Sequence, residues 1–158
     1  MLKRLLNSFC LVAAMYGVTA AHAQSYGNNI SLAQAKAVLT AAEAEAEARS
    51  WPLAIAIVDT AGQLVAYVKR DDTQNGSVEV SQAKARSAVL YKRPTKAFQD
   101  TVAQGGAGLR VLTLEGAVAA EGGIPLVLDG KIVGAIGVSG IASDQDSIVA
   151  EAGLAALK

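Results

Sequence analysis

The sequence predicts an α+β domain, an antiparallel sheet with helices mainly on one face, from two hairpin signals and the helical patterns set around them. The first hairpin joins the apolar runs Leu53–Val58 and Leu64–Val68 across Asp59-Thr-Ala-Gly-Gln63. The second folds Gly122–Leu128 against Lys131–Gly140 at Asp129-Gly130, a dipeptide suited to a type I′ turn in which both central residues take positive φ. Helical patterns start at Ser31, run from Ser77 to Lys92 and from Pro94 to Val102, and close the chain from Ser143 to Leu157. The order is helix, two strands, two helices, two or three strands, helix. It carries no internal repeat and no second domain.

At the N-terminus, Lys3 and Arg4 precede an apolar run from Leu5 to Val18, and Ala21-His-Ala23 places small residues where a signal peptidase reads. The pattern predicts a signal peptide over 1–23, a single domain over 24–158, and an exported protein, periplasmic or extracellular. The apolar run falls short of the roughly 20 residues that cross a bilayer and is broken by Tyr16 and Gly17. A lipid anchor on Cys10 is disfavoured by the Asn7-Ser-Phe that precedes it.

That cut decides several chemistries. Cys10, His22, Met1 and Met15 all fall before Gln24, so the remaining chain contains no cysteine, histidine or methionine. Disulfides, Cys/His zinc sites, Ser-His triads and haem ligation by His, Met or Cys are thereby excluded. Twelve basic residues stand against fourteen acidic ones, a formal charge of −2, which points neither to nucleic acid nor to an anionic membrane. Apolar residues make up 52% and charged residues only 18% of the sequence, a balance that suggests surface buried in a homo-oligomer.

Residues 24–29 are polar and read as a frayed end. Ser31-Leu-Ala-Gln34 reads as a capping box, followed by Leu32, Ala35, Val38, Leu39 and Ala42 on one face. Glu43, Glu45 and Glu47 are spread around the helix and read as a solvated face; Trp51-Pro52 ends it. Asp59 at a strand end could serve as a catalytic carboxylate, but an aspartate opening a turn ordinarily binds its own backbone. Asp71, Thr73, Asn75 and Gly76 imitate the front of a calcium loop, yet Gln82 stands where the closing glutamate belongs. Asn75-Gly-Ser77 is formally a glycosylation sequon and also a simple turn.

The second helix places Val80, Ala83, Lys84, Ser87, Ala88 and Tyr91 along one stripe. Small residues there permit close packing on a sheet, with Lys84 reaching solvent along its flexible stem. Arg86, Lys92, Arg93 and Lys96 add positive charge nearby. Gly105-Gly-Ala-Gly108 is a loop without the lysine-serine ending of a phosphate cradle. Ser139 sits in a loose nucleophile-elbow pattern with no histidine to serve it. Val111–Ala120 is expected to include a strand, and Ser143-Asp-Gln-Asp146 to cap the last helix. Gly134 and Gly137, inside a strand, imply that a backbone or a ligand comes close.

Gly122 to Gly140 with the helix that follows, Lys84-Ala-Arg-Ser-Ala88 and Arg93-Pro-Thr95 together resemble the GlcG/HbpS family of haem-binding proteins, also found as the C-terminal domain of PduO-type proteins. The resemblance implies a profilin-like antiparallel sheet, assembly into oligomers, and haem as a small-molecule ligand. Under that reading Lys84, Arg86 and Arg93 are the partners of the haem propionates, and Tyr91 and Tyr67 the candidate phenolates, since only tyrosine or lysine is left for the iron. Haem degradation and redox protection are the associated activities. A second function is an enzyme acting on a small organic acid or aromatic compound through Lys84 and Asp59; a third is a non-catalytic scaffold or sensor partner. The binding site is expected where Lys84, Ser87, Ala88 and Tyr91 meet the strand around Gly134–Gly137, with Lys84 removable at no cost to folding.

Overall fold

The computed structural model describes residues 24–158, and the expected signal segment 1–23 lies outside them. Four strands, β1 (Ala54–Asp59), β2 (Leu64–Lys69), β3 (Gly123–Leu128) and β4 (Lys131–Ser139), form one antiparallel sheet in the order β2-β1-β4-β3. Helices α1 (Leu32–Ala48), α2 (Gly76–Leu90), α3 (Lys96–Ala103) and α4 (Ser143–Ala155) and a 3₁₀ segment, Gly106–Thr113, complete the chain. Among the described residues no helix is long and apolar enough to cross a membrane.

Both hairpins close for the expected reasons. Asp129 and Gly130 take φ of 49° and 74°, so β3 folds back with Leu128 opposite Lys131. In the first hairpin Asp59 turns its carboxylate on the backbone, accepting from the amides of Ala61 and Gln63 at 2.9 Å each. Ser31 and Gln34 form the capping box of α1.

Alternation along β1 separates two cores. Ile55 and Ile57 join Ile136 and Val138 beneath α1 and α4; Ala56 and Val58 join Ala135 beneath α2. Two of the three helices that pack on the sheet therefore share a face, and α2 has the other alone. Ile55, Ile57 and Ile136 are fully buried, a contribution of about 1.5–3 kcal/mol apiece. Alanines dominate the α2 layer because that helix lies very near the sheet. A Cβ at Gly137 would stand 2.1 Å from the Ser81 carbonyl oxygen and 2.4 Å from the Ala85 amide nitrogen.

Three expectations are corrected. The end expected to fray over 24–29 is held from Ser25 onward: β1 ends opposite Gly134, and the backbone groups of β4 beyond that point are taken up by the N-terminal segment. Gly27 donates to Ile132 and Ile30 to Val133, both at 2.8 Å, while Ile132 donates to Ser25 at 2.9 Å. Val111–Ala120 contains no strand, because Leu109 and Leu112 follow the three-residue period of the 3₁₀ segment. Ser143-Asp-Gln-Asp146 forms no cap; Ala142 precedes the helix without a side-chain bond, and Asp146 is used elsewhere.

Candidate functional site

Helix α2 carries most of the residues singled out from the sequence, and the structure sends them in different directions. Ser77, Ser81, Lys84, Ala85 and Ala88 face the sheet, while Val80, expected on the same stripe, is exposed. Lys84 does not reach solvent. Its Nζ donates to Asp146 Oδ2 at 2.8 Å and to the Val138 carbonyl at 3.0 Å, and each side chain of the pair is only 2% exposed. Asp146 Oδ1 also accepts from the Ile141 amide at 3.3 Å. Burial pushes the Asp146 carboxyl above the usual carboxylate range, with the hydrogen bonds from Lys84 and Ile141 pulling against it. Lys84 thus ties α2 to the end of β4 and the start of α4; its snorkelling is overturned, and the ammonium expected to meet a propionate is engaged by Asp146 and Val138 inside the fold.

Asp146 was missed as that partner. Its signal was the spacing Asp146, Val149, Ala150, Gly153, the buried stripe of α4, which puts a carboxylate on an apolar face.

The space expected between this stripe and Gly134–Gly137 is closed. The glycines admit the backbone of α2 at one position and the Val58 carbonyl, 2.3 Å from a Cβ at Gly134, at the other. Nor do Lys84 and Asp59 share a pocket. Asp59 pairs with Gly134, whereas Lys84 reaches Val138, four residues along the same strand or roughly 13 Å away.

Arg86 turns toward the first hairpin, donating from Nε to the Gly62 carbonyl at 3.1 Å. Tyr67 lies on the edge strand β2 against the α2 layer, its hydroxyl buried and without a partner among the described residues. Burial, and secondarily the charge of Glu79, pushes its phenol up.

Ser87, Tyr91 and Arg93 do come together, under an arm formed by residues 94–121 between α2 and β3. Ser87 Oγ accepts from the Val118 amide at 3.0 Å, and the Tyr91 hydroxyl donates to the Glu115 carbonyl at 2.6 Å. The Tyr91 ring meets Phe98 of α3 edge-on, centroids 5.2 Å apart at 89°. Arg93 donates from Nε to the Tyr91 carbonyl at 3.1 Å and lays its guanidinium 5.5 Å from the Phe98 ring centre. At the root of the arm the Thr95 amide donates to the Gly123 carbonyl and the Gly123 amide donates to the Thr95 hydroxyl, both at 2.9 Å.

The outer side of this arm is apolar. Leu109, Leu112 and Leu114 are 48%, 67% and 41% exposed, with Arg110 exposed among them. Such a surface, with the Arg110 cation among its leucines, suits a flat apolar molecule carrying carboxylates. Phe98, Arg110 and these leucines were absent from the sequence-based site; the three-residue leucine spacing after a glycine loop was their only trace. A larger cleft of about 530 Å³ lies between the end of α1 and the end of β2, but Glu43, Glu47, Asp71 and Asp72 line it. Its cations are Lys69 and Arg70, and Arg70 is held by Glu47, so it disfavours an anion.

The model of one family, described as haem degrading protein HbpS-like, matches residues 30–155. Protein GlcG of Escherichia coli strain K12 is 38% identical over 110 residues, covering 70% of this chain and 81% of that protein. Among solved structures, HbpS superposes with a TM-score of 0.76 at 28% identity, over 85% of this chain and 94% of that one. The crystal structure of a PduOC–haem complex superposes with a TM-score of 0.75 at 30% identity, over 82% of this chain and 96% of that one.

Proposed function

Because this chain belongs to the HbpS-like family, we propose that it is an exported haem-binding protein that holds haem against the outer side of the arm. The observation that carries the placement is the exposed set Leu109, Leu112 and Leu114 with Arg110 among them and Arg93 against Phe98 of α3, on a relative of a protein solved with haem. Haem asks for an apolar surface for the porphyrin, cations for two propionates and a ligand for iron. The arm supplies the first two directly.

For the third, residues 24–158 have only tyrosine or lysine to give. The Tyr91 hydroxyl bonds the carbonyl of Glu115, the residue after Leu114, at an exposed position, and its phenol is the ligand of choice because Tyr67 packs against the α2 layer. Ligation would cost the Tyr91–Glu115 bond and free the loop that Ser87 also holds. Bound haem would supply iron redox chemistry at a solvent-facing surface. Haem degradation and redox protection are the two uses consistent with that exposure.

The chain is further proposed to lose residues 1–23 on export and to assemble as a homo-oligomer, the exposed leucines being poorly suited to water. Haemin added to the purified protein and followed by visible absorption tests the binding reading; a saturable, stoichiometric band supports it and featureless linear addition contradicts it. Loss of that band with reductant and oxygen would mark degradation, and its persistence protection. Mass spectrometry of the exported product tests cleavage after Ala23, and light scattering tests assembly.

A further inference from the structure

Where the start of α3, the head of β3 and α4 meet, a cleft of about 230 Å³ opens beside the buried ion pair. Pro94, Ile124 and Leu154 wall it, and Gly122-Gly123 forms its floor. Gly122, at φ +118°, runs across the pair: a Cβ there would stand 2.9 Å from Asp146 Cβ and 3.0 Å from Lys84 Nζ. The floor is therefore backbone laid on a fixed charge pair, which keeps it in place.

Ser147, next to Asp146, lines the cleft. It is only 7% exposed, and its hydroxyl has no hydrogen-bond partner among the described residues. A helical serine ordinarily bonds a carbonyl of the preceding turn, as Ser81 does with Val78 at 3.1 Å. The Ser147 oxygen is not itself enclosed, since the Tyr67 hydroxyl is the one fully buried side-chain polar atom without a partner among the described residues; it opens on the cleft, where a donor can reach it.

Charge at the mouth is one-sided. Lys96 is engaged by both oxygens of Asp100, at 2.7 and 2.8 Å, while Glu121 and Glu151 take part in no ion pair among the described residues. The uncompensated charge around the cleft is negative.

The geometry points to a binding site for a small primary ammonium on a short apolar body, about the size of benzylamine. The apolar part lies between Pro94, Ile124 and Leu154; the ammonium donates to Ser147 Oγ and faces the carboxylates of Glu121 and Glu151. An ammonium has donors for all three and nothing that needs a donor in return. A carboxylate of the same size meets repulsion, and a neutral alcohol satisfies Ser147 alone. This site takes the opposite charge from haem and does not depend on the arm's leucines.

The test is a titration of the intact protein with benzylamine, benzyl alcohol and benzoate, followed by amide NMR and calorimetry. Saturable shifts centred on Gly123, Ser147 and Leu154 are expected with benzylamine, weaker ones with the alcohol and none with benzoate. Ser147→Ala should weaken benzylamine binding about five- to tenfold, and Glu151→Gln should weaken it and reduce its salt dependence. Leu154→Trp, its fold checked by circular dichroism, should abolish it by filling the cleft. Benzoate or the alcohol binding as tightly as the amine, unchanged affinity in Ser147→Ala, or no saturable shift at these amides would each overturn the assignment.

Discussion

Lys84 reaches 62 positions along the chain to Asp146, ammonium to carboxylate at 2.8 Å, and joins three elements that share no other ion pair among the described residues. Removing one partner leaves the other charged and enclosed, which typically costs about 3–5 kcal/mol, whereas replacing both with apolar residues is often neutral or better. Urea denaturation should show Lys84→Met strongly destabilised and Lys84→Met/Asp146→Leu recovering most of the loss. Equal losses in both would mean that packing, not charge, holds the junction.

The same pair carries a pH signature. Burial raises the folded Asp146 value above the ordinary 3.8, so the folded chain binds that proton more tightly than the unfolded one. The resulting contribution is complete below the unfolded value and disappears as pH rises through the folded value. Relative to the double variant, wild-type stability should therefore be greatest at the acid end and decline as pH rises. A relative stability that grows with pH would show that the Lys84 charge outweighs desolvation.

Close approach of α2 to β4 makes Gly137 intolerant of a side chain. Gly137→Ala sets a methyl against the Ser81 and Ala85 backbone and should cost about 3 kcal/mol in thermal or chemical unfolding. Gly76→Ala, at the start of α2 with nothing within 4 Å, should be neutral or gain up to about 1 kcal/mol. Comparable effects at the two sites would contradict this packing.

Tyr67 bears a hydroxyl with no partner among the described residues, so Tyr67→Phe should stabilise the protein by about 1 kcal/mol. The measurement is a urea midpoint. Destabilisation would reveal a partner for the phenol, and an altered haemin spectrum in this variant would move the iron ligand to β2.

Much of the fold was legible because its signals are local. Asp129-Gly130 needs only its own φ angles, Asp59 its own turn, and Ser31 with Gln34 a single helical turn. The site was less so. Lys84 looks like a solvent-reaching cation until Asp146, 62 positions away, is folded against it. The glycines of β4 signalled a close approach correctly, but sequence does not distinguish a ligand from the α2 backbone that fills the space. Residues 94–121 were hardest, since the arm is held by a few side-chain bonds from Ser87, Tyr91 and Thr95 and by no regular pairing.

Haem held on the arm is the central claim, and haemin titration of Leu109→Ser/Leu112→Ser beside wild type tests it most directly. Both leucines are exposed, so the variant should fold like the parent. Losing most of two leucine contacts, each worth about 1.5 kcal/mol or more when covered, should weaken haemin binding at least tenfold. Wild-type affinity in the double variant, with the same visible band, would contradict the account.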